Sequence, residues 1–125
     1  MTKMITCEHD NYPAISKVKY LMRDLPFTEI DVQSVLVSLM EITRNVLIHG
    51  GGRGQLICHK VTQGICLIVK DQGPWIENLD EILKGSKPSS SGLGLGISGT
   101  MRLMDAASIN TSAKGTRVVA IKRYT

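Results

Sequence analysis

Glycines are concentrated in two short segments, residues 50–54 and 92–99, and the second segment has the features of a phosphate site. There a serine-rich loop leads into glycines that open a predicted helix, which would present backbone N–H groups and the positive end of a helix dipole to an anion. Lys84 and Lys87 could add positive charge at the same place. Phosphate is the natural ligand of such a site. The alternative is that these glycines only permit close packing of a helix on a sheet.

The run from Gly94 to Gly99 also matches G-x-G-x-x-G, the pattern of dinucleotide sites, but its context excludes that fold. A Rossmann site needs a buried strand directly before the loop and an acidic residue about twenty positions after it. Residues 84–91 are too rich in Ser, Lys and Pro to form such a strand, and no Asp or Glu follows Asp105. The sequence also lacks a G-x-x-x-x-G-K-[ST] run, which excludes a P-loop.

A stripe of polar residues follows one side of the most clearly predicted helix, which runs from Thr28 or Asp31 to about Ile48. With about 100° of rotation per residue, the stripe occupies an arc of roughly 80° and consists of Ser34, Ser38, Glu41, Asn45 and His49. Apolar residues cover most of the remaining surface: Val32, Val35, Leu36, Leu39, Ile42 and Val46. The stripe lacks the Lys/Glu pairs of a solvated face and runs into the first glycine segment. A functional site is indicated, with a solvated stripe on a core helix as the alternative.

The rest of the chain predicts a single domain, residues 1–125, whose elements follow the order β, α, α, β, β, α, β, β. Strands are expected at 4–8, 55–61, 65–70, 107–111 and 116–122. Helices are expected at 14–25, 28–48 and 96–104, with a short helical piece at 79–83, turns at 62–64 and 71–74 and a loop at 85–91. Since strands outnumber crossovers, we expect a mixed or antiparallel β-sheet with helices on one face, an α+β two-layer sandwich.

Composition narrows the possible classes of function. Hydrophobic residues make up 42% and charged residues 21%, which excludes a disordered or fibrous chain. The net charge is +4, but the basic residues are scattered and aromatic residues make up only 4%, so nucleic-acid binding is not favoured. No apolar run is long enough for a membrane span, and residues 1–13 carry charge where a secretory signal needs apolar residues. We therefore expect a cytoplasmic protein with reduced cysteines and no membrane partner.

Three segments, in this order, resemble the Bergerat ATP-binding fold of the GHKL superfamily, which includes gyrase-type, heat-shock-chaperone-type, histidine-kinase and mismatch-repair ATPases. Residues 41–50 (EITRNVLIHG) are similar to its N box, residues 71–74 (DQGP) to its first glycine box and residues 92–96 (GLGLG) to its second. Gly115 and Thr116 fit the position at which that fold has a threonine near the adenine. The resemblance extends over residues 30–120, nearly the whole chain.

Within this superfamily the chain resembles the RsbT-type serine/threonine switch kinases of the stressosome, in the anti-sigma-factor kinase group. The resemblance includes the same three boxes, residues 102–105 (RLMD) and residues 120–122 (AIK). It implies an ATP- and Mg²⁺-dependent protein kinase that phosphorylates STAS-domain scaffold or antagonist proteins. Such a kinase acts by partner switching in bacterial stress or sigma-factor regulation, with a downstream signalling enzyme or sigma-factor regulator as its other partner.

The resemblance also implies roles for individual residues, and these agree with the chemistry of the side chains. Glu41 would accept the proton of the substrate serine, and Asn45 would coordinate Mg²⁺. Asp71 would accept a hydrogen bond from the adenine amino group, and Gly73 would let the backbone approach the base near Thr116. The N–H groups of the second glycine box would bind the phosphates, through Gly92, Gly94 and Gly96.

One position departs from the family pattern, and two other residues each have more than one possible role. Trp75 stands where the first glycine box normally ends in glycine. Its bulk could reshape or cover the adenine pocket, anchor a protein partner or pack in the core. Arg44 could contact phosphate or a partner, although its helical angle points away from the stripe. His49 could close the pocket or cap the helix.

Two further hypotheses belong to other classes. The chain could be a nucleotide-binding module that sequesters a sigma factor or signalling enzyme with little kinase activity. Glu41 favours the kinase, because a pure binder needs no general base. Zinc binding is disfavoured, because adjacent strand residues face opposite sides and no C-x₂-C spacing occurs among the candidate ligands, which are Cys7, His9, Cys58, His59 and Cys66.

Overall fold

The computed structural model describes residues 1–49, 53–71, 100, 102–112 and 115–125. In these ranges the elements are β1 (Thr2–Ile5), a 3₁₀ turn (Glu8–Asp10), α1 (Asn11–Met22), α2 (Glu29–His49), β2 (Gly54–Val61), β3 (Gly64–Asp71), β4 (Ala106–Ser112) and β5 (Gly115–Arg123). The expected turn beyond Asp71, the helical piece at 79–83, the loop at 85–91 and the start of the third helix lie outside the described residues. Of that helix, Thr100, Arg102 and Leu103 are described as helical.

The five described strands form one sheet in the order β1-β2-β3-β5-β4. Every described pairing is antiparallel. The predicted hairpin is present, with Val61 opposite Gly64 and a turn in which Gln63 has a φ of 54°. The α+β class is confirmed, and of the mixed and antiparallel alternatives the described strands form the antiparallel one.

Helix α2 begins at a capping box. The backbone N–H of Asp31 donates to Oγ1 of Thr28 at 3.1 Å, and the backbone N–H of Thr28 donates to Oδ2 of Asp31 at 3.3 Å. These two bonds satisfy donors that a helix start otherwise leaves without partners. Of the two predicted starts, the one at Thr28 is confirmed, and the helix ends at His49, one residue beyond the predicted end.

Helices α1 and α2 pack on the sheet through one apolar core. Its members come from both helices and from all strands but β4 and include Ile5, Val18, Val35, Leu39, Ile42, Val46, Leu56, Leu67, Val69, Val118 and Ala120. Along β5, Thr116, Val118 and Ala120 are buried and Arg117 is exposed, as expected for a strand with one covered face. In the described part of the chain, no helix is long and apolar enough to cross a membrane.

Candidate functional site

The polar stripe of α2 is not a solvated face. Ser38 is fully buried, and its hydroxyl has no hydrogen-bond partner among the described residues. Glu41 and Asn45 are half-buried, whereas Arg44 is exposed, as its helical angle predicted. The side chain of His49 lies outside the described residues. Glu41 and Asn45 are four positions apart, so they share one side of α2 about one turn from each other.

A second group of site residues meets where β3 ends and β5 begins. The backbone N–H of Thr116 donates to Oδ1 of Asp71 at 3.1 Å, across 45 positions of sequence. Thr116 is buried, and its Oγ1 lies 3.1 Å from Oγ1 of Thr111. The Asp71 carboxylate is half-buried at the edge of the helix-covered layer. Two residues that the resemblance places at the adenine are thus in direct contact.

Gly54 brings the stripe and the Asp71–Thr116 pair to the same end of the sheet. It lies opposite Asp71 in the β2–β3 ladder. A Cβ atom added to Gly54 would lie 2.6 Å from Cγ1 of Val46 and 2.8 Å from the carbonyl oxygen of Lys70. Only glycine lets β2 pass this close beneath the last turns of α2. Asn45, adjacent to Val46 in sequence, is therefore near the end of the sheet at which Asp71 lies.

The remaining predicted site residues fall on segments outside the described ones, namely Gly73, Trp75, Gly92, Gly94 and Gly96. The third helix is described only at its end, where the N–H of Met104 donates to the carbonyl of Thr100 at 3.1 Å. Leu103 shares with α2 a groove of about 510 Å³. Its other described lining residues are Glu29, Ile30, Gln33, Ser34 and Val37. The end of the third helix therefore lies beside the first half of α2.

The cysteines are free thiols in different surroundings. Burial raises the pKa of the Cys58 thiol to about 12, and it also raises the pKa of Cys66. Cys7 is exposed. Cys58 is buried and His59 is exposed, so they face opposite sides of β2 as expected. Among the described residues, no group of three or more His, Cys, Asp or Glu side chains could hold a metal ion.

Two residues that fix the helices to the sheet, Gly54 near the site and Lys122 at the other end of β5, were not singled out from the sequence. Gly54 was counted only as part of a glycine segment, although a glycine at the start of a β-rich run signals a close backbone approach. Lys122 ends the predicted strand at 116–122. Alternation from Val118 and Ala120 places it on the covered face, and an inward lysine in such a pattern is a signal for a specific partner.

An antiparallel sheet with helices packed on one face is the architecture of a histidine kinase-like ATPase domain. The family model of that description matches residues 9–122, and the chain belongs to this family. Among curated proteins, it is 32% identical over 123 residues to the serine/threonine-protein kinase RsbT of Bacillus subtilis (strain 168). That match covers 94% of this chain and 92% of the relative. The chain is accordingly an ATP-binding protein serine/threonine kinase of the same superfamily.

Solved structures share the fold at much lower sequence identity. A Mycobacterium tuberculosis structure of RsbU and RsbW domains is 14% identical with a TM-score of 0.70. The match covers 98% of this chain but 32% of that one, so the chain spans about a third of that protein. The catalytic domain of the histidine kinase ThkA, in a nucleotide-free form, is 13% identical with a TM-score of 0.63, and the match covers 98% of this chain and 95% of that one.

Proposed function

We propose that this protein, acting as one domain of residues 1–125 in the bacterial cytoplasm, transfers the γ-phosphate of ATP to a serine of a STAS-domain scaffold or antagonist protein. Phosphorylation then switches partners and frees the kinase for a downstream signalling enzyme or sigma-factor regulator in a stress response. The identity to the kinase RsbT supports this reaction class. The structural observation that best supports this proposal is the placement of Glu41 and Asn45. Both are half-buried on one side of α2, whose last turns lie near the end of the sheet where Asp71 and Thr116 are bonded to each other.

The acidic and amide side chains of α2 suit phosphoryl transfer. The amide oxygen of Asn45 is a ligand that Mg²⁺ prefers, and because the residue is only half-buried a cation can reach it. When bound, Mg²⁺ would neutralise charge on the ATP phosphates. Glu41, one turn earlier, would accept the proton of the attacking serine hydroxyl. A carboxylate at that distance from the cation ligand can act on the nucleophile without occupying the same coordination position.

The Asp71–Thr116 pair suits recognition of the base. A carboxylate that accepts the Thr116 N–H is held in one orientation and has lone pairs for a further donor. In our proposal Asp71 accepts a hydrogen bond from the adenine amino group. Gly73 would admit the base, and the second glycine box would bind the phosphates through Gly92, Gly94 and Gly96.

The competing function is a module that binds nucleotide and partner without transferring phosphate. Such a module would need Asn45 and Asp71 but no general base. Glu41, one turn from Asn45 on the same side of α2, favours the kinase, because a module that only binds has no need of a general base there.

Incubation with labelled Mg-ATP and the STAS-domain proteins encoded beside this chain distinguishes the two functions. We expect label on a serine of one STAS protein. Glu41→Gln should retain ATP affinity and lose label transfer by about a hundredfold or more, within the range for a general base. Asp24→Asn, at an exposed position, is the matched control. ATP-dependent binding of a STAS protein without label transfer would support the module instead.

A further inference from the structure

Lys122 is a mostly buried lysine on the helix-facing side of β5. It follows Thr116, Val118 and Ala120 in the alternation of that strand, and 14% of its side chain is exposed. Its ammonium group Nζ donates to the carbonyl oxygen of Leu103 at 2.8 Å. Nζ also lies 3.9 Å from Oδ1 of Asp31 and 3.9 Å from Oδ1 of Asp105.

These contacts connect three separate elements. Leu103 is the last helical residue before β4, so its carbonyl is at the negative end of the third helix, where a cation is favourable. Asp31 belongs to the capping box at the start of α2. Asp105 is fixed to β5, because its N–H donates to the carbonyl of Ile121 at 2.9 Å and its Oδ2 accepts the N–H of Arg123 at 2.6 Å.

The Lys122 side chain affects the position of the third helix through its charge as well as through its hydrogen bond to Leu103. Without the ammonium group, Asp31 and Asp105 would lose the cation near both of them, and the Leu103 carbonyl would lose its charged donor. The bond to Leu103 is charge-assisted and partly buried, so it is stronger and more specific in geometry than an exposed bond, whereas the 3.9 Å contact to Asp105 involves a carboxylate that is 45% exposed and contributes less. The end of the third helix would then be free to shift along α2, the helix that bears Glu41 and Asn45.

We propose that Lys122 is a positioning residue of the kinase: it holds the third helix against the start of α2 and thereby sets the geometry of the nucleotide site. The effect on nucleotide rests on the function proposed above, in which the glycine box before the third helix binds phosphate and α2 supplies Asn45. Small displacements of such groups are costly in a bound complex. Lys122 touches no reacting atom and acts through Leu103, Asp31 and Asp105.

The first test needs no nucleotide. Hydrogen exchange is measured at the N–H groups of Met104 and Asp105, which are bonded to Thr100 and Ile121. In Lys122→Met we expect both amides to exchange about tenfold faster, the change that corresponds to loss of one charged hydrogen bond. Lys60→Met, a matched change at an exposed lysine of β2, should leave both rates unchanged. Equal rates in wild type and Lys122→Met would overturn the proposal that the contacts of Lys122 with Leu103, Asp31 and Asp105, here called the Lys122 clamp, hold the third helix in place.

The second test separates positioning from general stability. For Lys122→Met we expect KM for ATP to rise about tenfold with kcat changed less than about threefold, and Lys122→Arg to recover most of the loss because it keeps the charge. Val18→Ala, which removes a buried side chain of α1, should lower thermal stability without this change in KM. Faster exchange with unchanged KM in Lys122→Met, or a matching KM rise in Val18→Ala, would overturn the positioning role. A wild-type protein that binds no ATP would overturn the proposed function, while the exchange measurement would still decide the clamp.

Discussion

Asn45 and Glu41 lie on one side of the same helix, yet their removal should affect different steps. Asn45→Ala removes the amide oxygen that we assign to Mg²⁺, so we expect ATP affinity to fall by about ten- to a hundredfold. Calorimetric titration with and without Mg²⁺ measures this loss. Asn110→Ala, at an exposed position of β4, is the control. Equal Mg-ATP affinity in Asn45→Ala and wild type would contradict the assignment.

Asp71 permits a test of base recognition that barely disturbs the fold. In Asp71→Asn the amide oxygen can still accept the Thr116 N–H, now bonded at 3.1 Å to the carboxylate. The charge that favours the adenine amino group is lost, so we expect ATP to bind about tenfold more weakly and its preference over GTP to shrink. Competition binding with both nucleotides measures the change. An unaltered ATP-to-GTP ratio would argue against contact with the base.

The sequence predicted the residues of α2 better than it predicted their partners. Helical periodicity alone placed Glu41 and Asn45 together, because that spacing is local. The bond between Asp71 and Thr116 depends on the pairing of β3 with β5, which no local pattern specifies, and the two residues were related only through family resemblance. Gly54 and Lys122 were missed for the same reason, since their partners lie on other elements.

At the scale of elements, the close contact between β2 and α2 should be sensitive to a single methyl group. The Cβ atom of Gly54→Ala would lie 2.6 Å from Val46 and 2.8 Å from the backbone oxygen of Lys70. We expect the free energy of unfolding to fall by about 1–3 kcal/mol, as for other overpacked positions. ATP affinity should fall as well, because the last turns of α2 must move away from Asp71.

Urea denaturation of four proteins tests this contact: wild type, Gly54→Ala, Val46→Ala and the double variant. If the clash with Val46 matters, the double variant will be more stable than the sum of the single changes predicts. The Lys70 carbonyl belongs to the backbone and cannot be trimmed, so the recovery should be partial. Additive losses would show that Val46 is not the residue that limits the approach.

Element boundaries were predictable where capping chemistry is local and less so elsewhere. Of the two predicted caps for α2, Thr28 is correct, and Asp31 is its capping-box partner inside the first turn. Helix α1 begins at Asn11 instead of residue 14, because Pro13 lies within its first turn, where its missing N–H costs little. The turn before it is held by the Asp10 carboxylate, which accepts the N–H groups of Thr6 and Cys7. Strand β1 occupies Thr2–Ile5 instead of 4–8, since its pairing with β2 sets its limits.

At the scale of the whole molecule, periodicity predicted the α+β class and the hairpin, but it could not give the strand order. Strand β5 lies between β3 and β4, so the last strand of the chain is an interior strand and not an edge strand of the sheet. Alternation along β5 puts both Thr116 and Lys122 on the helix-covered face of the sheet, one near each end of the strand. The nucleotide site and the Lys122 clamp are therefore opposite ends of one layer, connected by β5 and by the length of α2.

The covered layer also contains the thiol of Cys58, which links the stability of the whole fold to alkaline pH. Burial raises the pKa of this thiol from 9.0 in the open chain to about 12 in the folded protein. The unfolded chain therefore releases the proton first as pH rises. The stabilisation is complete below about pH 9 and is lost progressively as the pH approaches 12.

We expect the free energy of unfolding of the wild-type protein to fall above pH 9 by up to about 1.4 kcal/mol per pH unit more than that of Cys58→Ala, which lacks the thiol. Urea denaturation between pH 8 and 10.5 with a reductant present measures the two slopes. Cys58→Ala should be less stable at pH 8, because it leaves a small cavity, and should approach the wild type as pH rises. Cys7→Ala, at an exposed position, should keep the wild-type slope. Parallel curves for wild type and Cys58→Ala would mean that the thiol is hydrated in the folded state and that the layer beneath the helices is open to water.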